Sequence, residues 1–392
     1  MTKRGLCLPT FARSGVLNRD LRLFFTSNFI GAFGDGLYSY LLPYYMKENL
    51  KASPDEVGLL YALTSLTAAV TLFAAGMVAD KYDRKKIIIA GWMAWLPAPV
   101  IFSFAQNWIQ MLPGMILWGF WLSGSTATAY IITSTDKRNL TLTFTVISSS
   151  WSLGYIFSPA LGGYIASIMG MRTVFYLSAI FYMAACLTLV FISSQHPASP
   201  PQSQHSFKEM LKSRKLAVSS LIFAIALFVP TMIRPFVPQF LADAYGYGDF
   251  EIGLLGSISF LGSAVLGILL GKFGDKFKKS YALAASMLLC SLFIILLSVS
   301  GNFYFLAAAL FFAGATYITW SLASAMVGPL APEYMRARWI AIPQTIGMLC
   351  SFLAPYVGGI IYKTSPYNLL VAALAASIIS ALIILNKAPD EP

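Results

Sequence analysis

Charge is scarce in this sequence of 392 residues, of which 11% are charged, compared with roughly 25% in an average soluble domain. A soluble globule needs more polar surface than this composition supplies, so a soluble protein is excluded. The same shortage of charge, together with the high hydrophobic content, excludes a disordered chain, a collagen and a coiled coil.

Cysteine and histidine are also few. The four cysteines are scattered without a C-x-x-C pair, and both histidines, His196 and His205, lie in one polar segment. This spacing provides neither a zinc site nor a redox pair, so we expect no metal and no cofactor. The motifs H-E-x-x-H, G-x-S-x-G and the P-loop are missing as well, which argues against an enzyme.

What the sequence does contain is apolar: hydrophobic residues make up 57% of it, and its mean hydropathy is +0.70. Twelve apolar runs are long enough for membrane-spanning helices, which need about 20 residues each. The runs cover residues 21–46, 56–79, 85–105, 108–132, 140–166, 172–194, 216–241, 250–273, 280–300, 302–326, 339–362 and 368–386. Because a lipid bilayer offers the backbone no hydrogen-bond partner, we predict an all-α membrane protein with twelve transmembrane helices.

Lysine and arginine are distributed unevenly between the loops. Of the 27 basic residues, 22 fall on one set of loops and chain ends, four fall on the opposite set, and Arg234 lies within a run. Basic loops remain in the cytoplasm, so we predict a multi-pass protein of the cell membrane with both termini cytoplasmic. These loops account for the formal net charge of +11, and nucleic acid is not expected as a partner.

The two halves of the sequence repeat one another at an offset of 195 or 196 residues. The matching pairs are Pro43 with Pro238, 56–60 with 251–255, 76–81 with 271–276, and 159–163 with 355–359. They predict two six-helix bundles arranged as parallel repeats with a cleft between them. We assign residues 1–194 and 216–392 to the bundles and 195–215 to a cytoplasmic linker, and we expect a monomer. The end of the linker, 207–215, fits either an amphipathic surface helix or a plain solvated segment.

Several segments resemble motifs of the major facilitator superfamily. GMVADKYDRKK (76–86) resembles its signature loop, G-x-x-x-D-R/K-x-G-R/K-R/K, although Asp83 stands where the family usually has Gly. GKFGDKFKK (271–279) is similar to a shortened second copy, and PEYMRAR (332–338) resembles the loop between spans ten and eleven. GYIFSPALGG (154–163) resembles a motif of the exporter branches, with Ser158 replacing Gly. The resemblance extends from about residue 20 to 386 and implies a secondary transporter that works by alternating access.

The resemblance also implies roles for individual residues. In the family, the acid of the signature loop pairs with helix ends and basic groups and holds the outward-facing state closed on the cytoplasmic side. The residues at these positions are Gly76, Asp80, Lys81, Arg84, Lys85, Gly271, Asp275 and Lys276. The basic ones also fix the topology of the loop. Close helix packing and bending are expected at Gly154, Pro159, Gly162, Gly163, Pro355, Gly358 and Gly359.

Two charged residues, Asp35 and Arg234, lie well inside apolar runs. A charge at the middle of a membrane helix costs about 2.5–3.5 kcal/mol, which favours a position facing a cavity, a partner or a proton pathway. Since desolvation favours a neutral carboxyl, Asp35 is a candidate for binding and releasing a proton; the alternative is a structural acid held by a neighbouring helix. For Arg234 three alternatives stand: an ion pair with Asp35, a grip on an anionic substrate, and snorkelling to the outer headgroups.

Aromatic residues are expected in the cleft. In the resembled family, spans one, four, seven and ten line the cavity, which favours the residues Tyr38, Trp118, Trp121, Tyr317 and Trp320. Their rings suit amphipathic or cationic organic compounds, and the alternative for each is an ordinary packing or lipid-facing role. Many proton-coupled drug exporters of the family carry an Arg in span four, whereas 108–132 contains no charge. This difference transfers any expected coupling role to Asp35.

Together these features predict a secondary active transporter that exports small hydrophobic or organic compounds, with protons or another ion as the coupling partner. Uptake or facilitated transport of a metabolite or an organic anion is the alternative within transport. A multi-span membrane enzyme or receptor is the alternative of another class, and the sequence contains neither a nucleotide-binding segment nor a large soluble domain in its support.

Overall fold

A computed structural model describes residues 17–79, 82–135, 140–196, 213–327, 330 and 336–389. Within these ranges all regular structure is helical, and no β-strand occurs in them. Three predicted features lie wholly or largely outside the described residues: Asp80 and Lys81 of the signature loop, the amphipathic segment from 207 to 212, and the loop at 331–335.

The helices of the N-terminal half, 17–196, follow one another along the chain. They are α1 Arg19–Ser39, α2 Leu42–Glu48, α3 Pro54–Ala79, α4 Arg84–Trp95, α5 Pro97–Phe104, α6 Leu112–Trp118, α7 Ser123–Ser134, α8 Leu140–Met169 and α9 Met171–Val190. A 3₁₀ turn, Trp108–Met111, precedes α6.

The C-terminal half, 213–389, repeats this pattern of long helices and short helices in line. Its helices are α10 Arg214–Ile233, α11 Val237–Tyr245, α12 Asp249–Lys276, α13 Lys279–Val299, α14 Phe303–Ala313, α15 Ala315–Val327, α16 Arg336–Ser351, α17 Ala354–Thr364 and α18 Pro366–Lys387. A 3₁₀ turn, Arg234–Phe236, joins α10 to α11.

Proline divides several of the predicted apolar runs into two helices. Helix α10 ends at Ile233 because Pro235 and Pro238 supply no N–H group and their rings crowd the preceding turn. Helix occupies every predicted run, and nine helical stretches within the described residues are long and apolar enough to cross a membrane. The chain is therefore an all-helical membrane protein, as the sequence predicted.

The two halves contact each other at one end of the molecule, which we call the closed end. There α8 packs along α12, and α3 packs along α17. Lys47 pairs with Asp243 of the opposite half, and the Lys363 Nζ lies 3.0 Å from Oδ1 of Asp55. These contacts leave the space nearer the middle of the helices available for a cavity.

The duplicated P-x-x-G-G motif makes two kinds of close contact at this end. A Cβ on Gly162 would lie 1.8 Å from the carbonyl oxygen of Leu37 in the same half, whereas one on Gly163 would lie 2.3 Å from that of Asp249 in the other half. The second copy repeats the arrangement, with Gly358 against Met232 of its own half and Gly359 against Pro54 of the other. The first glycine thus packs within a half, and the second brings the halves together.

Candidate functional site

A cavity of about 630 Å³ lies between the two halves, with walls from both. Its lining is rich in aromatic rings, and in the described part of that lining Asp35 and Arg234 are the only charged residues. A cavity of this size suits a small organic molecule. The location of the two charges explains why they persist inside apolar helices, since both face this space rather than lipid.

The carboxylate of Asp35 is held by four neutral donors of the N-terminal half. Trp118 Nε1 donates to its Oδ1 at 2.8 Å, and Tyr38 Oη donates to the same oxygen at 3.1 Å. The hydroxyl of Tyr182 also donates to Oδ1, and that of Tyr155 donates to Oδ2. Asp35 is only 5% exposed. Within the described ranges no basic side chain pairs with this buried group, and these hydrogen bonds satisfy it.

Four helices bring these donors together. Tyr38 follows Asp35 by three residues on α1, so both side chains lie on one face of that helix. Trp118 ends α6, while Tyr155 and Tyr182 come from α8 and α9, the two helices that pack most extensively against α1. The structural alternative for Asp35, an acid held by neighbouring helices, is thus present together with exposure to the cavity.

Arg234 lies on the opposite wall. Its guanidinium carbon is 5.2 Å from the ring centre of Tyr317, and its Nε donates to the carbonyl oxygen of Pro230 at 3.2 Å. Both Asp35 and Arg234 are described, and no ion pair joins them in this conformation. Arg234 lines the central cavity, which is the position expected for a grip on an anionic substrate; the three alternatives for its role stay hypotheses.

A row of rings, packed at a tilt against one another, connects the two charged residues across the interface between the halves. Tyr155, which holds Asp35, has its ring centre 4.6 Å from that of Phe260. The ring of Phe260 is in turn 4.6 Å from that of Tyr317, which lies under Arg234. Acid and base are therefore linked through aromatic contacts rather than through a salt bridge.

The predicted cavity aromatics divide into two groups. Trp118, Trp121, Tyr317 and Trp320 line the cavity. Tyr38 does not; it is fully buried behind the wall and contacts Asp35 instead. Its placement on the same helix face as Asp35 turns its hydroxyl to the carboxylate and away from the open space.

Sequence reasoning missed several participants. Phe260, Tyr61 and Tyr182 occupy apolar runs with nothing in their spacing to distinguish them from packing residues. The repeat offset does single out Phe260, because it lies 195 residues after Ser65, which also lines the cavity. For Tyr182 we find no such signal.

The signature loop forms a hydrogen-bonded clasp within the N-terminal half. The Arg84 backbone N–H donates to the Gln195 carbonyl at 2.9 Å, and its Nη1 donates to Thr133 Oγ1 at 2.7 Å. Asp83 caps α4 by accepting from the backbone N–H of Lys85, and it accepts a second bond from that of Gln195. The residue that departs from the family pattern is thus a structural participant.

Hydrogen bonding also sets the protonation behaviour of Asp83, which lies outside the membrane-spanning helices. Burial favours its neutral form, but hydrogen bonds from Ser194, Gln195 and Lys85 outweigh burial and lower the pKa of Asp83 below its ordinary value. The carboxylate is therefore charged at neutral pH and holds the end of α9 against the start of α4.

The remaining motif residues are distributed along the long helices. Gly76 lies in α3, while Gly271, Asp275 and Lys276 lie in the last turns of α12, where both Asp275 and Lys276 are exposed. Gly154 packs against Ala32, and Pro159 sits inside α8. Pro355 stands at the first turn of α17, next to Gly58 of the other half.

A helical membrane protein with a central cavity walled by both halves, two buried charges and many rings belongs to the class of membrane transporters. The model of the Major Facilitator Superfamily matches residues 24–233 and 219–392, so the chain belongs to that family. It is accordingly a transporter and not an enzyme.

Relatives of the chain include multidrug resistance proteins of bacteria. It is 27% identical over 251 residues to the multidrug resistance protein MdtG of Enterobacter lignolyticus, covering 62% of this chain and 60% of the relative. It is also 27% identical over 273 residues to the multidrug efflux pump PmrA of Streptococcus pneumoniae, covering 66% and 67% respectively. The match to the quinolone resistance protein NorA of Staphylococcus aureus is 23% over 298 residues, 74% of this chain and 75% of that protein.

Solved structures of transporters share the fold. The nucleoside transporter NupG superposes with a TM-score of 0.74 at 14% identity, covering 95% of this chain and 100% of NupG. A POT family transporter in complex with 5-aminolevulinic acid superposes with a TM-score of 0.74 at 15% identity, covering 94% and 95%. At these identities the similarity establishes the fold and leaves the substrate open.

Proposed function

We propose that the chain exports small hydrophobic or organic compounds by alternating access, with protons as the coupling ion. The observation that carries the proposal is the position of Asp35, a titratable group that is nearly buried yet forms part of the cavity wall. The multidrug resistance relatives support export, and the cavity between the halves supports a site reached from one side at a time.

The proposed architecture is twelve spans in two six-helix bundles, residues 1–194 and 216–392, joined by a cytoplasmic linker at 195–215. We further propose a monomer in the cell membrane with both termini in the cytoplasm. Two observations support two related bundles: each predicted apolar run is helical, and the two copies of the P-x-x-G-G motif make matching contacts. The basic loops support the orientation. With this orientation, the closed end is the outer one and the conformation faces the cytoplasm.

Proton coupling in this proposal works through the donors around Asp35. In the present conformation four side chains donate hydrogen bonds to Asp35. One of the donors, Tyr155, packs against Phe260 of the other half, so a rocking motion of the halves alters that contact and with it the hydrogen bond. In our proposal this shared residue links the position of the halves to proton binding at Asp35.

The test is transport in proteoliposomes that contain the purified protein and carry an imposed pH gradient. We expect efflux of Nile red, a neutral hydrophobic dye, to follow the sign of the gradient. Asp35→Asn removes this dependence, whereas Glu48→Gln, which neutralises a partly exposed acid outside the cavity lining, retains it. Gradient-dependent efflux by Asp35→Asn would exclude Asp35 from coupling, and gradient-independent efflux by the native chain would exclude proton coupling.

A second candidate, transport of an organic anion, is favoured by one observation: Arg234 faces the cavity. Uptake and export of such a compound differ in direction alone. The same proteoliposomes discriminate them, because accumulation inside right-side-out vesicles indicates uptake and depletion indicates export.

A further inference from the structure

We infer that Arg234 and Tyr61 form a subsite for the anionic group of an aromatic ligand, such as a carboxylate. The inference rests on the proposed function in one respect, namely that the central cavity holds the transported compound. The two residues come from opposite halves, Tyr61 from α3 and Arg234 from the turn after α10, and both line the cavity.

The guanidinium of Arg234 supplies the positive charge of the subsite. Among the described residues, no carboxylate lies within ion-pair distance of Arg234, and its recorded contacts are one backbone oxygen and one ring. Arginine offers five N–H donors in a planar fork that matches a carboxylate in two bonds. Most of this donor capacity is therefore available to a ligand in the cavity.

The hydroxyl of Tyr61 supplies a second donor. Its Oη is buried, and no hydrogen-bond partner for it occurs among the described residues. Leaving a buried hydroxyl unsatisfied costs about 1–3 kcal/mol, so a ligand that accepts its proton recovers that cost. Tyr61 and Arg234 line the same cavity from opposite halves, and in our proposal one anionic group of the ligand accepts from both.

Aromatic rings next to Arg234 provide a surface for the aromatic part of the ligand. Tyr317 lies under Arg234 and packs at a tilt against Phe260, so the subsite opens directly onto a row of rings. Trp118, which packs edge-on against Tyr61 at 6.1 Å, and Trp320 extend the aromatic surface on either side. A planar ring attached to the anionic group would contact these faces.

A cation is not the preferred ligand of this cavity in this conformation. Asp35 is the only acidic residue in the described lining of the cavity, and its two oxygens already accept bonds from four donors. An organic cation would have to displace those donors. An organic anion, in contrast, meets the Tyr61 hydroxyl and the Arg234 donors other than Nε, for which the described residues provide no recorded acceptor.

The experiment compares two probes of the same ring and similar shape, anionic 2-naphthoate and neutral 2-naphthamide, binding to the purified full chain in detergent by calorimetry. We expect the native protein to bind naphthoate at least 10-fold more tightly. Arg234→Gln should abolish that preference, Tyr61→Phe should reduce it about three- to 10-fold, and neither should change naphthamide affinity. Arg234→Lys, which keeps the charge and guards against misfolding, should retain part of the preference.

A matched control and a second readout keep the outcomes separate. Arg172→Gln removes a positive charge outside the central cavity and should leave both affinities unchanged. Equal affinities of the native chain for the two probes, or an unchanged preference in Arg234→Gln, would overturn the inference while leaving proton-driven Nile red efflux intact. Absent efflux with an intact naphthoate preference would instead count against the proposed function alone.

Discussion

The rings of Tyr155 and Phe260 lie with their centres 4.6 Å apart, one from each half of the chain. Tyr155 donates a hydrogen bond to Asp35, and Phe260 packs at a tilt against Tyr317, which lies under Arg234. The contact therefore sits at the centre of a continuous series from the acid to the base. Because Tyr155 belongs to the half of Asp35 and Phe260 to the half of Arg234, the proposed rocking motion would change this contact.

Replacing Phe260 should separate the contribution of stacking from that of charge. Because aromatic contacts are worth about 0.5–1.5 kcal/mol beyond burial, Phe260→Ala should weaken both naphthoate and naphthamide about two- to 10-fold. Calorimetry on the purified chain measures the two affinities, and Phe250→Ala, at a ring that is 41% exposed and packs on Tyr164, serves as the control. Loss of naphthoate binding alone would show that Phe260 acts on Arg234 and not on the ring of the ligand.

The two glycines of the P-x-x-G-G motif should respond differently to an added methyl group. Gly163→Ala crowds the Asp249 carbonyl across the interface, so the closed end should open. Overpacking costs about 1–3 kcal/mol, which shifts the conformational equilibrium roughly five- to 150-fold. Gly162→Ala crowds Leu37 of the same half and should instead lower the melting temperature in both conformations.

Spin labels on Asn49 and Asn368, exposed residues near the closed end in opposite halves, report this opening as a longer distance by electron paramagnetic resonance. The second copy provides the matched pair, since Gly359→Ala should act like Gly163→Ala and Gly358→Ala like Gly162→Ala. Identical distance distributions in Gly163→Ala and Gly162→Ala would contradict the distinction.

Asp83 should give the N-terminal half a pH-dependent stability. Its pKa is lowered in the folded chain, so its contribution is complete above the ordinary value of about 3.9 and disappears as the pH falls through the lowered value. Asp83→Asn keeps the acceptor oxygen but loses the charge, and we expect its melting temperature at pH 7 to be about 2–4 °C lower.

Thermal unfolding of the detergent-solubilised chain between pH 7 and pH 3 checks this expectation. The difference between the native chain and Asp83→Asn should shrink towards zero at the acidic end. Asp275→Asn, at an exposed acid near the end of α12, should match the native chain throughout. A difference that stays constant over the whole range would show that the charge of Asp83 does not stabilise the clasp.

Much of the fold could be predicted from the sequence because lipid imposes a simple rule. Runs of about 20 apolar residues must be helical to satisfy their backbone, and helix indeed occupies each predicted run, including those that proline divides. Membership of the family was likewise readable in the motifs, and the family model matches both halves of the chain.

The candidate site could be predicted only in part from the sequence. Asp35 and Arg234 stand out because charge inside an apolar run is costly, and both reach the cavity. Their relationship could not be predicted: the sequence left an ion pair as one of three alternatives, whereas the structure surrounds Asp35 with neutral donors and places Arg234 over Tyr317. Tyr182 and Phe260 look like ordinary packing residues in the sequence, because one ring in an apolar run resembles another.

Some features of this protein follow from its local sequence, and others follow only from the packing of its helices. The sequence by itself determined the helices, the membrane environment and the two charges that need a cavity, since hydrophobic length and the cost of a buried charge are local properties. Only the tertiary structure decided which rings surround Asp35, which one lies under Arg234 and how Tyr155 meets Phe260. Apart from the contact with Tyr38, those contacts join residues at least 83 positions apart, and their partners depend on how the helices pack rather than on any spacing along the chain.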